Sequence, residues 1–243
     1  MWDWFIVLAG LTGLAAGATA SVVGFGIGSL LTPLLGIRFG METAVAMVAV
    51  PHAAGSILRG WRLRREIEWR ILLRFGILSA AGGLAGALLY ARMGSVSLTR
   101  TLGALLLLTA VAGVSGSAER WKVAGPAVWL LGGLSGLFGG LVGNQGGLRA
   151  AALSAFRLAP TVFVATSTAT GILVDAARTP VYLWRAWEPL SHLHAWIAVT
   201  TLGVLAGTLL GEKLLLGLSP QTFRPLVSVA VGILGVWLLV TAG

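Results

Sequence analysis

Apolar residues run in long blocks along this chain, and the polar ones are confined to short intervals between them. The blocks lie at roughly 4–36, 41–58, 71–91, 98–115, 124–156, 161–184, 192–211 and 222–242. Crossing the hydrocarbon of a bilayer takes about 20 helical residues, so the pattern predicts an all-α integral membrane protein. Little chain is left between blocks for a soluble domain, and 1–243 reads as a single membrane domain of four plus four segments. The first and fifth blocks are longer than a crossing requires. Each has a dense glycine run in its second part, GFGIG and GNQGG, which predicts a broken or re-entrant helix.

The two breaks belong to a longer repetition. Gly24 and Gly28 recur 119 residues later (143 minus 24) as Gly143 and Gly147, Gly13 as Gly132, and Gly17 as Gly136. Farther on, Gly82 and Gly86 recur as Gly203 and Gly207. The chain therefore reads as two homologous halves, about 1–116 and about 122–243. Paired glycine-interrupted segments in two halves of a membrane chain point to a secondary transporter with a central site.

Charge decides between two topologies. Basic residues concentrate in cytoplasmic loops. If all eight segments cross, the arginines and lysines in the loops or near segment ends divide nine to six. If segments one and five return to the side they started from, they divide eleven to four, with Arg59, Arg62, Arg64, Arg65, Arg70, Arg74, Arg120, Lys122, Arg157, Lys213 and Arg224 together. The re-entrant model sorts the charge better. Each half then crosses an odd number of times, the repeats are inverted, both termini face away from the cytoplasm, and the basic loop at 59–74 is cytoplasmic.

Composition sharpens what is excluded. Hydrophobic residues make up 57% of the chain and charged residues 10%, with a mean hydropathy of +0.92. The net charge of +9 is accounted for by topology, so no nucleic-acid partner is implied. Trp2, Trp4, Trp61, Trp69, Trp121, Trp184 and Trp187 fall near block ends, as an interfacial aromatic belt requires. Absence of cysteine removes thiolate metal sites and thiol nucleophiles. There is no HExxH, GxSxG or GxxxxGK[ST], so the reading is of a protein that is not an enzyme and uses no metal or cofactor.

The breaks are where chemistry is expected, because irregular backbone at membrane depth is tolerated only against protein or a water-filled cavity. Gly24, Gly26 and Gly28, followed by Ser29, and Gly143, Gly146 and Gly147 would free backbone N–H groups. The half-helices behind them would aim their N-termini at one anion. Asn144 and Gln145 add amide donors. The more widely spaced Gly13, Gly17, Gly82, Gly86, Gly132, Gly136, Gly203 and Gly207 read as close helix packing.

Arg149 follows the second break; a charge there costs about 3 kcal/mol on insertion scales, and it either ligates the anion or snorkels to water. Arg178 is a second candidate ligand. Asp175, three residues earlier, has the spacing of an ion pair with it. Arg59, the counterpart of Arg178 in the first half, reads by default as a topology signal of the adjoining basic loop. Thr166, Ser167, Thr168 and Thr170 are candidate hydroxyl donors, although hydroxyls commonly bond their own helix. His52, with Asp175, is a candidate for proton coupling; donation to a helix carbonyl is the plainer role.

With these residues in place the chain resembles the sulfite exporter TauE/SafE family of membrane permeases. The likeness rests on Gly24, Gly26, Gly28 and Pro33, on Gly143, Gly146 and Gly147, and on the set Asp175, Arg178 and Tyr182. Ile27, Asn144, Gln145 and Ala152 depart from the family's pattern. The resemblance implies transport of sulfite, thiosulfate or organosulfonates. The reading is therefore of a secondary transporter of small, sulfur-containing oxyanions, working by alternating access in a bacterial inner membrane. An anion channel on the same scaffold and a non-transporting assembly subunit are the alternatives.

Overall fold

A computed structural model describes residues 4–115, 125–214 and 220–242. Trp2, Arg120, Trp121 and Lys122 lie outside these, as does the side chain of Arg224. The described residues form α1 (Trp4–Val23), α2 (Ile27–Phe39), α3 (Met41–Arg62), α4 (Trp69–Tyr90), α5 (Ser95–Val114), α6 (Pro126–Val142), α7 (Gly146–Ser154), α8 (Pro160–Arg185), the short α9 (Trp187–Ser191), α10 (His194–Leu214) and α11 (Pro220–Thr241), with no strand among them. Among the described residues six helices are long and apolar enough to cross a bilayer: α1, α3, α4, α5, α8 and α10. The protein is an all-α, multi-pass integral membrane protein.

Both long blocks are broken at their glycine runs. Helix α1 stops where Gly24 takes φ +86° and Gly26 φ +137°, and α6 stops at Gly143, which is left-handed with φ +73°. A side chain would strain each of these positions. Beyond each break the chain comes back. The Arg38 guanidinium at the end of α2 lies 5.4 Å from the ring of Phe5 at the start of α1 and 4.9 Å from that of Trp196. In the second half, the Trp129 and Phe156 rings at the two open ends of the α6–α7 hairpin are 5.7 Å apart. The chain thus makes a helical hairpin at each of the two long blocks.

The hairpins are held by glycine-lined seams. Gly13 and Gly17 of α1 lie on the Thr200 and Val204 carbonyls of α10, while Gly203 and Gly207 lie on Gly10 and Leu14. Gly82 and Gly86 of α4 lie on Gly133 and Leu137 of α6, and Gly136 on Ser79. Gly132 faces the ring of Phe75. The packing role expected of these glycines is the one they have. In both seams the contacts advance together along the two helices, so the pairs are parallel. The pairs α3–α8 and α5–α11 run the other way: His52 meets Asp175 while Arg59 meets Thr168, and Gly103 lies by Gly235 while Gly113 lies by Ser228.

The distribution of polarity is that of a protein dissolved in lipid. Leu11, Leu130, Leu202, Ile233 and Val240 point outward and are more than half exposed, whereas Arg59, Arg149, Asp175, Arg178, Asn144 and Gln145 are buried. Charge confined to the interior of a membrane bundle lines a pathway or a site.

Candidate functional site

The two breaks meet. Gly28 in the first turn of α2 packs on the carbonyl of Gly143, and the ring of Phe25 packs on Gly146. Ser29 Oγ donates to Asn144 Oδ1 at 3.3 Å. Only residues without side chains let the backbones approach this closely, which explains the glycines better than flexibility does. Neither α2, capped by Gly26, nor α7, capped by Gln145, has a side-chain cap. The first-turn N–H groups of both helices are left to whatever occupies the junction.

A cavity of about 20 Å³ opens at that junction, room for about one water. Its walls are residues 24–29 and 143–146 with Ala20, His52, Ser56, Arg59 and Arg149. Arg149 comes in from α7 and its NH1 donates to the Ser167 carbonyl of α8 at 2.7 Å. Its Nε and NH2, the Asn144 amide nitrogen and the Ser56 hydroxyl are buried without a protein partner. A buried donor left unmade costs about 1–3 kcal/mol, more for a charged group. Four such atoms belong to residues that line one cavity.

Behind the wall lies a polar cluster joining α3, α6 and α8. Asp175 Oδ1 accepts from Arg178 Nε at 3.0 Å and lies 2.8 Å from its NH2. Asp175 Oδ2 lies 2.7 Å from His52 Nδ1. Arg178 NH1 donates to the Gly139 carbonyl and the Tyr182 hydroxyl to that of Gly140. Both carbonyls belong to the last turn of α6, where that of Gly139 also accepts the backbone N–H of Gly143. The cluster therefore pins the end of α6 immediately before its break.

The sequence-derived candidates separate on this geometry. Gly24, Gly26, Gly28, Ser29, Gly143, Asn144, Gln145, Gly146 and Arg149 come together on the cavity, and His52 joins them. Arg149 is buried, so it does not snorkel. Gly147 packs instead against Thr109 of α5. Arg178 stands behind the wall with its three nitrogens engaged by Asp175 and Gly139. Asp175 forms the ion pair its spacing suggested. His52 reaches Asp175, not a helix carbonyl.

Thr166 Oγ1 accepts from the backbone N–H of Glu68, and Ser167 contributes its carbonyl to Arg149. The default reading of Arg59 is corrected: it is buried on the cavity wall, with Nε donating to Thr168 Oγ1 at 2.8 Å. Its recurrence as Arg178 in the second half was the signal that pointed inward. Ser56 carried no comparable signal.

The arrangement provides fixed donors and two buried guanidiniums at the meeting of two helix N-termini. The model of the sulfite exporter TauE/SafE family matches residues 9–238. The chain belongs to the sulfite exporter TauE/SafE family. No curated protein and no solved structure matches it. Membership over nearly the whole length, together with the membrane-crossing helices, makes this TauE/SafE protein a membrane transporter. Members of the family are transporters rather than enzymes.

Proposed function

We propose that the protein is a secondary transporter of small, sulfur-containing oxyanions, of the class of sulfite, thiosulfate or an organosulfonate, working by alternating access. The observation that carries this is the set of buried, unpartnered donors of Arg149, Asn144 and Ser56 on a cavity between two helix breaks. Among the described residues three arginines are buried, Arg59, Arg149 and Arg178, against one carboxylate, Asp175. The surplus of positive charge favours an anion. The cavity is closed down to about 20 Å³, which supports a carrier that must rearrange over an open channel.

Inverted repeats are supported by the packing. A two-fold axis in the membrane plane exchanges the α1–α10 seam with the α4–α6 seam, both parallel. It also makes each helix that pairs with its own counterpart antiparallel, as α3 is to α8 and α5 to α11. An axis along the membrane normal would make those pairs parallel.

The transport test is counterflow in proteoliposomes. Labelled thiosulfate or sulfite should exchange against the unlabelled anion with saturation and with no net driving force. Absence of saturable exchange for every oxyanion of this class overturns the reading. Orientation has its own check in a chain with no native cysteine. Arg64→Cys should react with an impermeant thiol reagent only from the cytoplasmic face, and Arg185→Cys, which shares that face if all eight segments cross, only from the other; both positions are exposed. Labelling of both from one face removes the inverted topology.

A further inference from the structure

We propose that this protein moves a proton together with each anion and that His52 carries it. The inference rests on the transport reading above and adds the coupling ion. Imidazole is the group on the cavity wall whose ordinary titration falls between about pH 5 and 8. The guanidiniums of Arg59 and Arg149 stay protonated. His52 Nδ1 lies 2.7 Å from Asp175 Oδ2, and the other oxygen of that carboxylate is held by Arg178. A carboxylate paired with a guanidinium is an acceptor, so Nδ1 bears the hydrogen and donates it. The lone pair of the neutral ring is then on Nε2, and that is where a proton adds.

The surroundings tie that proton to the anion. Among the described residues, the ionisable groups facing His52 are Asp175 and Arg178 from α8 and Arg149 from α7, with Arg59 of its own helix on one side of the same cavity. Residues 24–29 and 143–146 of the two breaks contribute no ionisable side chain, and Val204 and Thr208, which α10 presents to the neighbouring Gly55, are neutral. Asp175 is already balanced by Arg178.

A charged imidazole in the empty cavity would add positive charge beside the buried guanidinium of Arg149. An anion held by Arg149 and Asn144 reverses that penalty. Each ligand therefore favours the other to the same degree, as linkage requires. Entry adds a proton to Nε2 while Nδ1–H stays on Asp175. Exit of the anion on the other side returns the Nε2 proton to water, and no other bond changes.

The test uses the full chain in proteoliposomes with labelled thiosulfate, whose charge does not change between about pH 5 and 8, and a pH dye inside. With the membrane voltage clamped at zero, an imposed pH gradient should drive accumulation of about tenfold per pH unit. The dye should report about one proton per anion. His52→Asn keeps a donor at the position of Nδ1 and cannot titrate, so its remaining flux should move close to no protons per anion. His52→Gln serves in the same assay if the Asn variant does not fold.

Anion flux that ignores the pH gradient in the unmodified protein overturns the coupling and leaves the transport reading standing. One proton per anion in the His52 variants overturns His52 as the carrier. Failure of the unmodified protein to move thiosulfate or sulfite overturns both readings.

Discussion

Replacing Arg149 with Gln should raise the thiosulfate concentration for half-maximal counterflow by about 10- to 100-fold. Arg149 is buried and donates to the Ser167 carbonyl through NH1, while its Nε and NH2 have no protein partner. Hydrogen bonds to a charged group are worth about 1.5–3 kcal/mol, and each 1.4 kcal/mol is about tenfold in affinity. Arg149→Lys should recover part of the loss, because it keeps the charge without the planar fork.

Thermal unfolding separates ligation from a structural role. An anion that binds only the folded protein raises its melting temperature. In Arg149→Gln that rise should vanish while the anion-free protein melts no lower than the unmodified one, since a buried charge short of partners has been removed. A large drop in the anion-free melting temperature with the thiosulfate shift intact would assign Arg149 to structure alone.

Asp175→Ala should destabilise the protein by about 3–5 kcal/mol, the usual result of removing one partner of a buried ion pair. The loss strands Arg178, which is fully buried and otherwise holds the carbonyl of Gly139. It also frees His52. Size-exclusion after heating in detergent is the readout. The double variant Asp175→Ala, Arg178→Met should regain at least half of the loss, because the stranded charge is gone. Asp175→Ala as heat-resistant as the unmodified protein would show that the pair does not hold α6 in place.

The resemblance of the two halves carried more of the site than any single residue did. Arg59 adjoins a run of loop arginines, and by local context it reads as one more of them. Only its recurrence as Arg178 hinted that it turns inward, and the packing of α3 on α8 puts it on Thr168. Arg178 shows the reverse. Its place in the motif suggested a ligand, but Asp175 and the last turn of α6 occupy its donors. The hydroxyl run behaves similarly, with Thr166 turned to Glu68.

From the sequence alone came the membrane environment, the all-α class, the two broken blocks and the packing role of the widely spaced glycines. These follow from block length, from the cost of positive φ to residues other than glycine and from the spacing of small residues, all of which are local or additive along the chain. The tertiary structure decided which candidates share a cavity. Gly28 meets Gly143, Arg149 turns inward instead of snorkelling, and His52 reaches Asp175 across more than a hundred residues. Such pairings depend on which helix faces pack together and how close glycine lets them come. No spacing within one segment encodes that.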